Sequence, residues 1–235
     1  LFTGPRIYET IGSAGLPVPM GSYDIRLDRT AEIRLSRCTQ TTDIHDSRYW
    51  GLISTNFCRD LIFEDCCFSR FDAHMGVSNC TLRRCRLGWQ CLNAIGNGTF
   101  LIEDTQAHGN AFVNLREDYG CTWRGRILIR GCTWVPRSEK RAVFSAHNDG
   151  THDFGYACYL PDVVIDGLTV TEDAADAAPL YVFNDYLGDG DAAAERSHMP
   201  VPPRRVQVRN VHTNRPVRLC EEPTLMAETA FVLEE

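Results

Sequence analysis

The sequence predicts an all-β chain of short parallel strands stacked copy upon copy, and three observations carry that prediction. A six-residue pattern recurs along the chain, helical spacing of three and four is sustained nowhere, and 18 Gly with 11 Pro punctuate it throughout. The pattern reads apolar-x-apolar-x-x-(Cys/Thr/apolar). Its seven copies are Ile33–Cys38, Leu61–Cys66, Cys80–Cys85, Phe100–Thr105, Ile127–Cys132, Val163–Leu168 and Val206–Val211. In each copy two apolar residues two apart face the same side of a strand, and the polar pair that follows bends the chain.

Between the last residues of successive copies the intervals are 28, 19, 20, 27, 36 and 43. The shortest intervals measure one bare repeat and the others are that length plus insertions, which repeat proteins confine to particular loops. A second strand precedes each copy, at 50–56, 72–77, 92–97, 112–118, 142–145, 180–184 and 217–220, again with apolar residues at period two. Strands recurring at about 20 residues pair in parallel with the next repeat rather than antiparallel with each other. The expected architecture is a single parallel β-helix of seven or eight coils over residues 25–220. A lead-in or cap over 1–24 and a C-terminal cap over 221–235, as a strand or a helix, complete it.

With its stacked Cys, Thr and Val positions, this repeat resembles the right-handed parallel β-helix superfamily, the pectate-lyase-like proteins that include polygalacturonases, alginate epimerases and phage tailspikes. The resemblance implies a right-handed solenoid and a polysaccharide or other glycan as the partner, acted on by a glycoside hydrolase or polysaccharide lyase. The chain has no Asp-Asp, Gly-His-Gly or Asp-Pro-His, so no catalytic residue of those families is carried over.

Charge and cysteine narrow the field. Against 24 Lys+Arg stand 31 Asp+Glu, a net charge of −7, which supplies no footprint for nucleic acid or an anionic membrane. The clusters Arg83-Arg84 and Arg204-Arg205 read as solvated faces. No stretch reaches the ~18 apolar residues of a membrane span. The chain opens at Leu1 rather than Met, which leaves room for a removed leader and an extracytoplasmic location. Eleven cysteines without a CxxC spacing read as reduced, buried, small apolar residues, with Cys38, Cys66, Cys85 and Cys132 in one inward column.

The insertions share one place, between the second strand and the next hexad, growing from nil to 119–126, 148–162 and 185–205. Long loops on one edge build a groove wall, and the outward face of the second strand is its floor. With Met75, Ile95 and Leu115 inward, the floor columns are His74–Ala94–Asn114 and Gly76–Gly96–Arg116. The segments Arg70-Phe-Asp72-Ala-His74 and Leu115-Arg116-Glu-Asp118-Tyr119 are the polar candidates. His74, Arg116, Asp118 and Asp72 are expected to be catalytic, and Arg70, Asn114, Tyr119, Asp149 and Asp185 to bind substrate.

Two reactions fit these residues. In hydrolysis Asp149 or Asp185 protonates the leaving oxygen while Asp118, or water activated by His74, attacks. In β-elimination His74 or Tyr119 removes the proton beside a carboxylate that Arg70 or Arg116 neutralises. The second needs an anionic substrate, which the negative chain opposes unless Ca²⁺ bridges. The segment His147–Asp153 offers imidazoles and carboxylates for Ca²⁺ or a transition metal, though no cofactor is required. The competing reading is a non-catalytic glycan-binding or structural surface solenoid, in which these residues scatter instead of converging.

Overall fold

The computed structural model describes residues 7–11, 17–21, 25–41, 43–46, 53–89, 91–116, 122–137, 142–146, 159–171, 178–184, 201–221 and 223–234. The strands open with β1 (Ile7–Ile11), β2 (Pro17–Gly21), β3 (Ile25–Asp28), β4 (Arg34–Ser36), β5 (Ile53–Asn56) and β6 (Arg59–Glu64). Next come β7 (Cys67–Phe68), β8 (Phe71–Arg83), β9 (Arg86–Leu87), β10 (Leu92–Glu103), β11 (Gln106–Gly109) and β12 (Ala111–Asn114). The chain continues with β13 (Trp123–Pro136), β14 (Ala142–Ser145), β15 (Asp162–Val170), β16 (Leu180–Phe183), β17 (Arg205–His212), β18 (Val217–Arg218) and β19 (Ala230–Glu234). β1 and β2 form an antiparallel hairpin, and the other strands join one sheet whose pairings are parallel.

Three rows of parallel pairs run through that sheet. The hexad row joins β4, β6, the second half of β8, the second half of β10, the first half of β13, β15, β17 and β19. A second row of very short strands follows each hexad: β7, β9, β11 and the ends of β13, β15 and β17. The third joins β3, β5, the starts of β8 and β10, β12, β14, β16 and β18. The hexads align as the sequence predicts: Phe63, Leu82, Ile102, Ile129, Ile165 and Val208 form one register column, and Leu61, Cys80, Phe100, Ile127, Val163 and Val206 another. All of these side chains are buried. The stretch expected as a C-terminal cap holds a 3-10 turn (Pro223–Met226) and β19, whose Phe231 and Leu233 extend both columns.

The second row departs from the sequence reading, in which the hexad simply ended in a bend. Its strands are as short as two residues, below the length at which a period can be read. Their inward residues Phe68, Leu87, Ala107, Trp134 and Val170 nevertheless stack in register and are buried. The expected loop over 119–126 is also shorter than read, because Trp123–Arg126 belong to β13. Aromatic rings knit rows together across the interior, with Phe71 edge-on to Phe63 at 4.9 Å and to Phe100 at 6.0 Å between centroids.

The bend between the first two rows shows why the sixth hexad position is Cys or Thr. Cys66 Sγ donates to the Glu64 carbonyl (3.2 Å), Cys85 to Arg83 (3.4 Å), Thr105 Oγ1 to Glu103 (2.9 Å) and Cys132 to Arg130 (3.3 Å). A short donor two residues on clips the bend, so these cysteines are more than small fillers. All nine cysteines among the described residues are free. Burial pushes the Cys132 thiol up to about 11 and that of Cys91, outside this column, up to about 12.

The residue before the clip carries the strain. Arg37, Asp65, Arg84, Asp104, Gly131, Gly167 and Asn210 all have positive φ, between 48° and 88°. Outside glycine that conformation costs about 1–2 kcal/mol per residue. The first four of these turns recover part of this cost by docking their N–H on the next copy, as Asp65 N does on the Arg83 carbonyl at 3.0 Å and Arg84 N on Glu103 at 2.9 Å.

Outside the same bend the charges alternate. Glu64, Arg83, Glu103, Arg130, Asp166, Arg209 and Glu234 occupy one register column and change sign at every step. Arg83 bridges Glu64 (2.9 Å) and Glu103 (2.6 Å), Arg209 meets Asp166 (2.7 Å), and in the bend column Arg84 meets Asp65 (2.7 Å). Arg84 is solvent-exposed, as expected for a solvated face, and both it and Arg83 are also paired along the stack. Hydrogen bonds from Arg34 and then Arg83 lower the Glu64 pKa, that from Arg84 lowers Asp65, and those from Arg209 and Asn210 lower Asp166.

Because these carboxylates titrate lower in the folded than in the unfolded chain, their contribution is present above the usual carboxylate pKa of about 4 and lost as pH falls through the folded values. The thermal midpoint should therefore drop as pH falls below about 4. Arg83→Glu, which sets three carboxylates in a row, should lower that midpoint further than Arg83→Ala, and molar salt should narrow the gap. At the strained bend, Gly131→Val should cost about 2 kcal/mol in chemical denaturation while Gly131→Asn, the residue found at position 210, costs less.

Candidate functional site

The third row places an apolar–polar dipeptide at the same register in each copy: Phe71-Asp72, Leu92-Asn93, Val113-Asn114 and Phe144-Ser145, with Ser54 aligned beside Asp72. The apolar member of each is buried in the core, so period two turns the polar member outward. The result is a polar column, Asp72–Asn93–Asn114–Ser145. Asn184 joins at its end, donating N–H to the Phe144 carbonyl (3.2 Å) and accepting from Ala146 N (2.7 Å).

The floor column expected from the sequence, His74–Ala94–Asn114, does not form. Ala94 pairs with Ala73 and both are wholly buried, while the residue between Asp72 and Asn114 is Asn93. A constant 20-residue spacing selected Ala94. The strands instead shift register between Ala94 and Gly96, and between Thr55 and Asn56, so that spacing fails inside β8 and β10. The second floor column fails for the same reason, since Gly96 pairs with Val77 rather than with Gly76.

Arg70, Asp72 and Arg116 converge at one end of the column. Asp72 Oδ2 accepts from Arg70 at 2.7 Å and lies 3.3 Å from Arg116, with side-chain exposures of 0% for Asp72, 3% for Arg70 and 11% for Arg116. Leu115, wholly buried, anchors β12's exit with its N–H on the Ser145 carbonyl (2.9 Å). Arg116 then takes φ +41° and reaches back two copies to Asp72. Two guanidiniums thus flank one buried carboxylate. Asp72, expected to be catalytic, is enclosed by charge-assisted hydrogen bonds, and Arg70, expected to touch substrate, is buried beneath it.

His74 stands beside this cluster, half-buried, its Nδ1 2.7 Å from Asn56 Oδ1. With Nδ1–H donated to that amide oxygen, Nε2 becomes the basic nitrogen. Asn114 donates Nδ2 to Asn93 Oδ1 at 2.9 Å, and its own Oδ1 is buried with no donor among the described residues. Asp118, Tyr119, Asp149 and Asp185, together with the His147–Asp153 segment, lie outside the described residues. Among the described residues no group of three His, Cys, Asp or Glu is placed to hold a metal ion, and no helix is long and apolar enough to cross a membrane.

Sequence reasoning missed Asn56 and Asn93. The signal for Asn93 was present in the recurring apolar–polar dipeptide, whereas Asn56 owes its place to the register shift beside it. No protein-family model, curated protein or solved structure matches this chain. The site is therefore read from its own chemistry.

Removing Asp72 should expose how much the cluster matters to the fold. Asp72→Ala leaves two buried guanidiniums facing each other and should cost about 3 kcal/mol in urea denaturation. Arg116→Ala, which leaves the Arg70–Asp72 pair intact, should cost distinctly less.

Proposed function

We propose that the chain is a right-handed parallel β-helix that acts on an acidic polysaccharide as a lyase. The observation that carries this is the Arg70–Asp72–Arg116 cluster, in which the partly exposed Arg116 guanidinium is held in place by a buried carboxylate, beside a histidine whose Nδ1 is held by Asn56. A guanidinium fixed in this way suits the carboxylate of a uronate residue. The fold reading is supported by three rows of parallel pairs with residue-matched columns.

In this reading Arg116 binds the uronate carboxylate, and Arg70 acts only through Asp72, fixing the position of Arg116. His74 Nε2 removes the proton from the carbon beside that carboxylate. The electron pair forms a carbon–carbon double bond, the bond to the linking oxygen on the next carbon breaks, and that oxygen departs with a proton from water or from Tyr119. Arg116 neutralises the charge that builds on the carboxylate as the proton leaves. Hydrolysis would draw its acid and base from Asp118, Asp149 or Asp185, because Asp72 is enclosed between two guanidiniums.

The test is a panel of polyuronates and neutral glycans, with and without Ca²⁺, read by ultraviolet absorbance of the unsaturated uronate and by new reducing ends. Polyuronate cleavage with the absorbance is expected. His74→Ala should lower kcat on the order of 100-fold or more. Arg116→Ala should lower kcat/KM by about 10–100-fold, the worth of one charge-assisted hydrogen bond. Reducing ends without absorbance would replace elimination by hydrolysis, and saturable binding without turnover would make the chain a glycan-binding module.

A further inference from the structure

The hexad row carries apolar residues on both sides. In the six hexads from Leu61 onward the first and third residues are buried, as a one-sided sheet requires, and the residue between them points outward and is apolar in four of the six, Thr81 and Gln207 being the exceptions, while the first hexad places the exposed Arg34 at the end of the same column. These outward residues align in one column: Ile62, Thr81, Leu101, Leu128, Val164 and Gln207. All six are only half-buried. At about 4.8 Å per step the stripe is about 24 Å long. Parallel strands that read as continuous apolar runs, such as Phe100-Leu101-Ile102 and Ile127-Leu128-Ile129, normally have both faces covered.

Two residues further along each strand runs the alternating ladder, Glu64, Arg83, Glu103, Arg130, Asp166 and Arg209. We propose that this face is the interface of a homodimer, in which a second copy packs on it about a two-fold axis that lies along the strand direction between the copies holding Glu103 and Arg130. Such an axis reverses the order of copies and keeps each strand's direction, so stripe meets stripe and ladder meets ladder. Glu103 then faces Arg130 of the second copy, Arg83 faces Asp166, and Glu64 faces Arg209. Every ladder contact is between opposite charges. The stripe closes at the same time, Leu101 against Leu128, Thr81 against Val164 and Ile62 against Gln207. An axis passing through a copy instead would set like charges against each other along the whole ladder, so the sign pattern selects the register.

The consequence is a complementation experiment on the full chain by sedimentation equilibrium. The wild-type chain is expected to be a dimer. Leu101→Lys alone and Leu128→Glu alone are each expected to be monomeric yet folded by circular dichroism, since both positions face outward, with thermal midpoints that no longer depend on protein concentration. An equimolar mixture should recover the dimer, because the new lysine faces the new glutamate across one half of the interface and leucine faces leucine across the other. Should either variant fail to fold, Thr81→Lys and Val164→Glu form a second complementary couple on the same axis. A monomeric wild-type chain, single variants that remain dimeric, or a mixture that stays monomeric would each overturn the proposal. A wild-type monomer whose stripe is protected from solvent only in the presence of glycan or of another protein would assign the face to that partner instead.

Discussion

Parallel pairing in register is the constraint from which the rest of the structure follows. When each strand stacks on its equivalent one copy away, a residue type chosen at one position meets the same position above and below it. Only residues that tolerate their own neighbours can occupy a column. Apolar side chains do so by packing, as Phe63, Leu82, Ile102 and Ile129 do. Asparagines do so by bonding amide to amide, as Asn93 and Asn114 do. Charged side chains can do so only by alternating, and the ladder from Glu64 to Glu234 alternates at every step.

The same constraint decides what could be read in advance. Hexads with two apolar residues at fixed spacing declare themselves, since the pattern survives insertions of any length elsewhere. Strands as short as Cys67–Phe68 contain too few residues to show a period, so the second row was invisible although Phe68, Leu87 and Trp134 lay at a constant offset from the sixth hexad position. Alternation of sign was equally legible in principle. It needs the columns to be aligned first, and pairs such as Arg83-Arg84 look like ordinary surface charge when read along the chain.

The candidate residues named from the sequence lie on different segments of the chain. Arg70, Asp72 and Arg116 do meet, although Asp72 and Arg116 are 44 residues apart. What period two could not supply was depth. Nothing in the segment Arg70-Phe-Asp72 distinguishes a carboxylate on a wet surface from one enclosed between two guanidiniums, because that depends on Arg116 leaving its strand through a left-handed turn. Nor could a uniform repeat length anticipate the register shifts that substitute Asn93 for Ala94.

The alternating ladder also restricts how such a chain can change in length. Loss or duplication of a single copy would bring Glu64 beside Glu103, or Arg83 beside another Arg83, and the bend column would repeat the error with Asp65 and Asp104. Loss or gain of two copies together restores opposite neighbours at every step. Growth by even numbers of repeats is therefore open to this sequence while growth by odd numbers is opposed, a parity rule written in charge rather than in shape.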